Sequence, residues 1–289
     1  SNFAFDITGY VTADGSTENV IAVKAVNSIP SSRWYSGSGI YRDVTLIVTD
    51  PVHVDWNGVQ VTTPDISSGK GTVNVSTTIK NDSNSAVTAS VTHKVYEKKG
   101  SVVKAESAYN VSIPAGSSQT TSNNSAVVSN PKKWNIDSPN LYTLVTTLSV
   151  NGEVVDEYST YFGFRYFSFD SNGFHLNGNN VKLNGVCLHH DQGALGSAAY
   201  YDAMYRQLSI MKDMGVNALR TSHNMPAPAV MELAERAGAA GALARVLRRP
   251  LRRLFPRAAK EPEVMEALTE NVTANLMGLG NAATPAGIR

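Results

Sequence analysis

Two histidines stand where two apolar runs end, in a pattern that suits a binding pocket. His189 closes the run 181–188, and His223 closes the segment that begins with the run 216–220. If both runs are neighbouring parallel strands of a barrel, their carboxyl ends lie side by side at the edge where barrel enzymes build active sites. Imidazoles there could donate hydrogen bonds to a ligand or bind a metal ion. We predict that His189 and His223 face one pocket; the alternative is a pair of structural histidines.

A metal site built from His189, His190 and Asp191 is a second interpretation of this cluster. Consecutive residues of a strand point to alternate faces, so three in a row do not converge on one ion. The chain has a single cysteine, Cys187, which excludes an internal disulfide framework and a multi-cysteine zinc site. We therefore assign no metal ligand, and no cofactor motif is evident.

The elements that would position these side chains follow a strand–helix–strand–helix order. The runs 181–188 and 216–220 are typical of buried strands, and residues 198–214 and 226–238 show the helical spacing of apolar side chains. This order predicts parallel strands joined by crossover helices. A complete (β/α)8 barrel has about 250 residues, so residues 166–236 would form its first two units.

The first 165 residues have a different, β-rich pattern, in which Val, Thr, Ser and Asn are frequent. Short alternating or apolar runs recur at 20–26, 44–48, 73–79 and 142–148. Asn151-Gly152 between two such runs is a strong hairpin signal. Strands that recur about every 8–12 residues indicate an antiparallel sandwich. We predict one sandwich at 52–165 and the end of an earlier β domain at 1–51.

Five segments of the chain stand in a characteristic order. They are Ser32–Arg42, Trp134 with Ser138–Tyr142, Gly163–Arg165, Leu183–Asp191 and Arg220–Pro226. Together they resemble glycoside hydrolase family 2, in the group of β-galactosidases and β-glucuronidases. The resemblance implies a multidomain β plus α/β fold: the end of a jelly-roll sugar-binding domain at 1–51, an immunoglobulin-like β-sandwich at 52–165, and the first two βα units of a TIM barrel at 166–236. Met225 stands where the family often has proline.

The resemblance implies retaining hydrolysis of a terminal β-linked sugar, with a β-galactoside as the first candidate substrate. Such enzymes use two carboxyl groups about 5–5.5 Å apart, one as nucleophile and one as acid/base. In the family the acid/base glutamate follows an asparagine, and this chain contains no Asn-Glu dipeptide. We therefore assign no catalytic residue in this chain and predict that it has no turnover as written.

The same resemblance suggests roles for residues around the predicted pocket. His189 and His223 would hydrogen-bond sugar hydroxyls, and Asn224 would line the pocket. Arg220 would hold neighbouring polar groups, with an ion pair inside the barrel as an equal alternative. A divalent cation is compatible with the family, and the implied partner is a β-linked oligosaccharide or glycoside.

The segment Ser32–Arg42 has two interpretations. Trp34 and Tyr35 stand beside arginines, and such aromatic rings suit stacking on a sugar face. The segment also lies at the hinge into the next strand. We favour an anchor at a domain junction, with Trp34 buried and Arg42 paired.

Residues 237–289 have another composition, rich in Ala, Leu and Arg, with eight basic residues against four acidic ones. Within them, 251–256 and 275–285 resemble the spore maturation protein A / nucleoside-recognition membrane family. We predict a helical basic tail that is unrelated to the preceding domains, as in a chimera. Its arginine–leucine helix would lie on an anionic membrane surface or would be a solvated basic face.

Composition excludes several classes of protein. The net charge of +1 gives no reason to expect a nucleic-acid partner, and no run of about 18 apolar residues predicts a membrane span. The first residues show no signal peptide, and we expect a soluble protein; whether the parent is cytoplasmic or secreted stays open, as does the oligomeric state. Two alternatives to a glycosidase fragment remain: a non-catalytic carbohydrate-binding sandwich module, and a protein that associates with membranes through its tail.

Overall fold

The computed structural model describes residues 3–26, 28, 39–97, 100–222 and 225–237. The predicted site residues His223 and Asn224 lie outside the described residues. So do most of the segment Ser32–Arg42 and, apart from Ala237, the predicted tail. The predictions for these residues stay predictions.

Residues 52–162 form two four-stranded antiparallel sheets that pack together. The strands are β1 (Val52–Thr62), β2 (Ile66–Ser67), β3 (Lys70–Asn81), β4 (Val87–Glu97), β5 (Val103–Ile113), β6 (Ser117–Ser129), β7 (Tyr142–Val150) and β8 (Glu153–Phe162). In the first sheet, β3 pairs with β1, β2 and β6; the second has the order β5-β4-β7-β8. This is the predicted sandwich, of the immunoglobulin-like class.

The sandwich core follows from burial with a period of two residues. Between Gly71 and Asn81, buried and half-buried residues alternate along β3, because successive side chains of a strand point to opposite faces. The buried side chains of both sheets form two clusters between the sheets. Their members include Val73, Leu144 and Phe164 in one cluster, and Ile79, Val91 and Leu148 in the other.

The strands predicted at 20–26 and 44–48 are wrong. Both segments are described without strand pairing, and their apolar side chains are open to solvent: Val20 is 79 % exposed and Val48 is 84 % exposed. A strand needs a neighbour that satisfies its backbone hydrogen bonds, and none of the described strands pairs with these segments. The jelly-roll end at 1–51 therefore stays an expectation from the resemblance.

The composition of β6 does not predict a strand. From Ser117 to Ser129 it consists mostly of Ser, Thr and Asn, and Ser and Asn are frequent in turns. It nevertheless pairs with β3 over its length, from Ser117 opposite Asn81 to Ser129 opposite Lys70. Pairing with a distant strand thus outweighs local preference.

After the sandwich, a small three-stranded antiparallel sheet precedes a parallel pair of strands. The small sheet contains β9 (Phe167–Asp170), β10 (Gly173–Leu176) and β11 (Asn179–Asn180); the parallel pair is β12 (Gly185–Leu188) and β13 (Ala218–Thr221). Helix α1 (Tyr201–Asp213) connects β12 to β13, and helix α2 (228–237) follows β13. These elements are the predicted start of a barrel, although each is shorter than the sequence pattern indicated.

The two helices cover one face of the parallel pair. Leu188 packs there with Met204 of α1 and with Val230 of α2. Gly215 follows the last turn of α1 with φ of 86°, the left-handed conformation in which glycine commonly ends helices. The chain can therefore turn back at once into β13.

Trp134 and Arg165 join the sandwich to the start of the barrel. Trp134 Nε1 donates to the carbonyl oxygen of Glu235 at 3.1 Å. Arg165 Nη2 lies 3.0 Å from Oε1 of Glu235, and its guanidinium lies 4.8 Å from the centre of the Trp134 ring. Gly163 permits this packing, since a Cβ at that position would lie 2.7 Å from Cβ of Trp134. Two of the family-like segments therefore build a domain joint.

Candidate functional site

The two faces of the parallel pair differ in chemistry. Leu188 and Leu219 belong to the apolar cluster beneath the helices. Cys187 and Arg220 alternate with them along the strands and so point away from the helices. They are also opposite each other in the parallel register. In a closed barrel the face away from the helices is the inside, so this polar face is the one that would line the barrel.

Arg220 contacts two polar neighbours on this face. Its Nη1 donates to the Ser222 hydroxyl at 3.1 Å and lies 3.7 Å from Sγ of Cys187. The amide of Ser222 donates to the carbonyl of Leu188 at 2.9 Å, which continues the pairing beyond the end of β13. The Ser222 hydroxyl, followed by the Arg220 guanidinium, lowers the pKa of the exposed Cys187 thiol, because both stabilise the thiolate.

His189 and His190 follow β12 and have different surroundings. His189 is exposed, whereas His190 is half-buried, with its ring 5.7 Å from the ring of Tyr41 in an edge-on contact. Burial, and next the charge of Arg42, lower the pKa of the His190 imidazole, since both disfavour the cation. His190 is therefore neutral near neutral pH, and His189 is the imidazole that solvent reaches.

Asp191 contributes to local structure. Its Oδ1 accepts the amide of Gly193 at 3.0 Å, and its carbonyl oxygen accepts from the Gln207 side chain at 3.2 Å. The carboxylate thus shapes the turn into a short 3-10 helix at Gly193–Leu195. Within the part of the chain that the structure describes, no group of three His, Cys, Asp or Glu side chains is placed to bind a metal ion.

A cavity of about 30 Å³ lies between the end of the parallel pair and the helices. Its polar lining comes from His189, His190, Gln192, Ser197, Gln207 and Thr221. This volume corresponds to about one water molecule. The cavity is therefore too small for an organic ligand.

The structure places two of the four predicted site residues. His189 directly follows β12, and Arg220 is the penultimate residue of β13, so they belong to neighbouring strands. His223 and Asn224 lie outside the described residues, and the distance between His189 and His223 stays a prediction.

Sequence reasoning missed Cys187 and Ser222 as neighbours of Arg220. The sequence could have indicated both. Cys187 and Arg220 lie at corresponding positions of two parallel strands, and Ser222 is two residues after Arg220, so that it lies on the same face of the strand. It also missed that Arg42 donates a hydrogen bond to the carbonyl oxygen of Met225, 183 residues away. The favoured interpretation of Arg42 as a paired anchor named no partner, and no local pattern indicates one.

Two family models match consecutive parts of the chain. The model described as Glycosyl hydrolases family 2 matches residues 52–165, and the model described as Glycosyl hydrolases family 2, TIM barrel domain matches residues 168–243. Together they match more than half of the chain. The chain belongs to glycosyl hydrolase family 2. Its family is thus one of glycosidases, as the five segments suggested.

Several family 2 proteins similar to this chain come from Bacteroides species. BoGH2A, a β-galactosidase of Bacteroides ovatus, is 42% identical over 239 residues, which are 82% of this chain and 28% of that protein. The crystal structure of a family 2 member from Bacteroides cellulosilyticus matches with a TM-score of 0.68 and 35% identity, covering 71% of this chain and 26% of that one. The structure of Bacteroides uniformis β-glucuronidase matches with a TM-score of 0.61 and 31% identity, covering 66% and 24%. This chain spans about a quarter of the length of these family 2 relatives.

No described helix combines the length and the apolar character needed to cross a bilayer. The predicted membrane contact concerns the tail at 237–289, nearly all of which lies outside the described residues. The resemblance of that tail to a membrane family therefore stays a prediction.

Proposed function

We propose that this chain is the sandwich and the first two barrel units of a retaining β-glycosidase that removes a terminal β-linked sugar, with a β-galactoside as the favoured substrate. The observation that carries the proposal is the polar face of the parallel pair. Cys187, Arg220 and Ser222 lie together there, and His189 stands at the carboxyl end of β12. Barrel enzymes hold their substrates at that end. The similarity to a β-galactosidase at 42% identity supports galactose over glucuronic acid.

In this proposal each residue has a distinct role at the carboxyl end of β12 and β13. His189 and His223 hydrogen-bond hydroxyl groups of the sugar, and these bonds strengthen as the ring approaches the oxocarbenium-like transition state. Asn224 lines the same pocket. Arg220 fixes Ser222 and Cys187, which keeps the polar face in one arrangement around the bound sugar.

We further propose that the 289-residue chain binds a sugar weakly and does not hydrolyse it. Retaining hydrolysis needs a carboxylate nucleophile and a separate carboxylic acid. The chain has no Asn-Glu dipeptide to supply the acid in the family's context. Asp191 is the acidic residue closest in sequence to the end of β12, and its carboxylate is already bonded to the Gly193 amide. One carboxylate cannot serve both faces of the anomeric carbon.

An assay of the purified chain tests the absence of turnover. We expect that 4-nitrophenyl β-galactoside and 4-nitrophenyl β-glucuronide release nitrophenol at the rate measured without protein. Turnover that disappears in Asp191→Asn would show that this carboxylate performs the chemistry. Turnover that persists in Asp191→Asn would show that another one does. Either result contradicts the proposal.

A titration with phenyl 1-thio-β-galactoside, which resists hydrolysis, tests the binding site. We expect His189→Ala to weaken binding by about tenfold, because one hydrogen bond to the ligand is lost. The matched control is His53→Ala, a histidine of β1 in the sandwich, which should bind like the unchanged chain. Equal binding by His189→Ala and the unchanged chain would move the site away from the barrel edge and favour the non-catalytic sandwich module.

A further inference from the structure

Tyr41 and Arg42 lie against the start of the barrel, although they precede the whole sandwich in sequence. The carbonyl oxygen of Tyr41 accepts the amide of Ala199 at 2.8 Å, and its ring meets the His190 ring edge-on at 5.7 Å. Arg42 Nη2 donates to the carbonyl oxygen of Met225. The Arg42 guanidinium also lies 5.1 Å from the centre of the Tyr41 ring. The two residues therefore contact the barrel start at three separate places.

These three places belong to segments that leave the carboxyl edge of β12 and β13. His190 is the second residue after β12, Ala199 lies in the connection to α1, and Met225 lies between β13 and α2. They are apart in sequence and belong to no common strand or helix. A contact shared by all three consequently holds them in one relative position.

Met225 directly follows two of the predicted sugar-binding residues, His223 and Asn224. Ser222, which directly precedes them, is itself held: its amide donates to the carbonyl of Leu188 at 2.9 Å, and its hydroxyl accepts from Arg220 at 3.1 Å. The described residues on both sides of this dipeptide are therefore held, Ser222 by β12 and β13 and Met225 by Arg42. A hydrogen bond from a guanidinium is stronger than one between neutral groups.

We propose that Tyr41 and Arg42 form a positioning clamp, which holds His190, Ala199 and Met225 in one arrangement at the carboxyl edge of β12 and β13. Neither clamp residue contacts the substrate. The clamp deepens the proposed function, since it rests on a sugar site at this edge. It also means that residues before the sandwich help to build the site, although they are distant from it in sequence.

The chemistry of the two rings and the guanidinium suits a clamp. The Tyr41 ring makes a cation–π contact with the Arg42 guanidinium and an edge-on contact with the His190 imidazole. A protonated His190 would repel Arg42. Burial and the nearby guanidinium keep the pKa of His190 low, so the imidazole is neutral near neutral pH and the contact is not opposed by like charges.

NMR on the full 289-residue chain tests the clamp. The variant Arg42→Met removes the donor and the charge, whereas Arg42→Lys keeps the charge and one donor. The matched control is Arg236→Met, because the Arg236 guanidinium lies 5.2 Å from the centre of the Tyr161 ring and 2.7 Å from the carboxylate of Glu232. All three variants thus alter an arginine that stacks on a tyrosine, and only the first two alter the clamp.

For Arg42→Met we expect three changes. Exchange of the Ala199 amide with solvent accelerates by about tenfold, as the loss of one charge-assisted hydrogen bond would allow. The pKa of His190 rises, because the neighbouring cation is gone. Affinity for phenyl 1-thio-β-galactoside falls by about tenfold. Arg42→Lys should restore part of each change, and Arg236→Met should leave all three quantities as they are in the unchanged chain.

Several results would overturn the clamp. Unchanged exchange at Ala199 and an unchanged pKa of His190 in Arg42→Met would show that Arg42 holds nothing in place. Equal effects of Arg236→Met would show a general loss of stability. If Arg42→Met fails to fold, Tyr41→Leu decides, since unchanged His190 signals in that variant contradict the clamp. If the unchanged chain does not bind the thiogalactoside while exchange and pKa respond to Arg42→Met, the clamp stands and the sugar proposal fails.

Discussion

His93 joins the two sheets of the sandwich through neutral hydrogen bonds. Its Nδ1 lies 3.0 Å from the hydroxyl of Thr146, and its Nε2 lies 3.4 Å from the hydroxyls of Thr77 and Tyr109. The residue is fully buried, and burial lowers the pKa of its imidazole from 6.5 to about 4. The side chain is therefore held without charge between strands of both sheets.

Acid should weaken the sandwich through His93. The unfolded imidazole takes up a proton near pH 6.5 and the folded one only near pH 4, so the unfolded state binds more protons between these values. The free energy of unfolding should consequently fall as the pH drops through this window, by about 3 kcal/mol in total, and this contribution should be constant above it. The slope of this free energy against pH is measured by urea unfolding of the full chain at several pH values, with exchange of the β4 and β7 amides as the readout.

The variant His93→Gln should lose this pH dependence, because its amide does not titrate. His53→Gln, on β1 of the same sandwich and part-exposed, is the control and should keep the slope. A slope that survives unchanged in His93→Gln would assign the acid sensitivity to another group.

At the scale of strands and helices, local pattern predicted those elements whose burial alternates. β3 and β7 were expected because apolar residues recur at every second position. β6 was not expected, and the segments 20–26 and 44–48 were wrongly expected to be strands. The missed strand and the wrongly expected strands have the same cause: a strand forms only when another strand pairs with it, and that partner is distant in sequence. An alternating pattern of apolar residues shows that one face of a segment can be buried, but it does not show that a partner strand is present.

The candidate site divides in the same way. His189 was found because the strand-end rule for parallel sheets needs only the order of the elements, whereas Arg220 was named on the resemblance to family 2. The contact from Arg42 to Met225 spans 183 residues, and nothing in either local sequence indicates the other. Contacts within the strand pair were predictable, whereas contacts between domains were not.

Gly163→Ala tests the joint between the sandwich and the barrel. A Cβ at Gly163 would lie 2.7 Å from Cβ and 2.9 Å from Cγ of Trp134, which is closer than van der Waals contact. We expect a loss of about 1–3 kcal/mol in the free energy of unfolding, with faster exchange of the Phe162 and Phe164 amides. Gly185→Ala is the matched control, since its Cβ would meet Ala218 at 3.6 Å, an ordinary contact. Equal stability of the two variants would show that Trp134 moves aside without cost.

At the scale of the whole molecule, the two parts of the chain differ in self-sufficiency. Both core clusters of the sandwich are formed by residues within 52–165. Among the described residues, the barrel start has one apolar cluster and a two-stranded parallel sheet, in which each strand has one edge that no described strand pairs with. Short sheets with open edges are marginal on their own.

We therefore expect residues 52–165 to fold as a separate fragment and residues 166–237 not to. Dispersed amide signals and a cooperative urea transition for the first fragment, together with collapsed signals for the second, would agree with this. A first fragment that unfolds without cooperativity would show that the sandwich depends on its contacts with α2.

The connection between the sandwich and the barrel start is short and contains no flexible linker. Residues 163–166 alone separate β8 from β9, and each of them is held: Gly163 lies against Trp134, Phe164 is buried, Arg165 pairs with Glu235, and the Tyr166 amide donates to Asn177 at 3.2 Å. A twist of the sandwich about this point would have to break the contacts that Trp134 and Arg165 of the sandwich make with Glu235 of α2. In mechanical terms, the sandwich and α2 are coupled without a flexible hinge. A torque applied to the sandwich is therefore transmitted directly to α2.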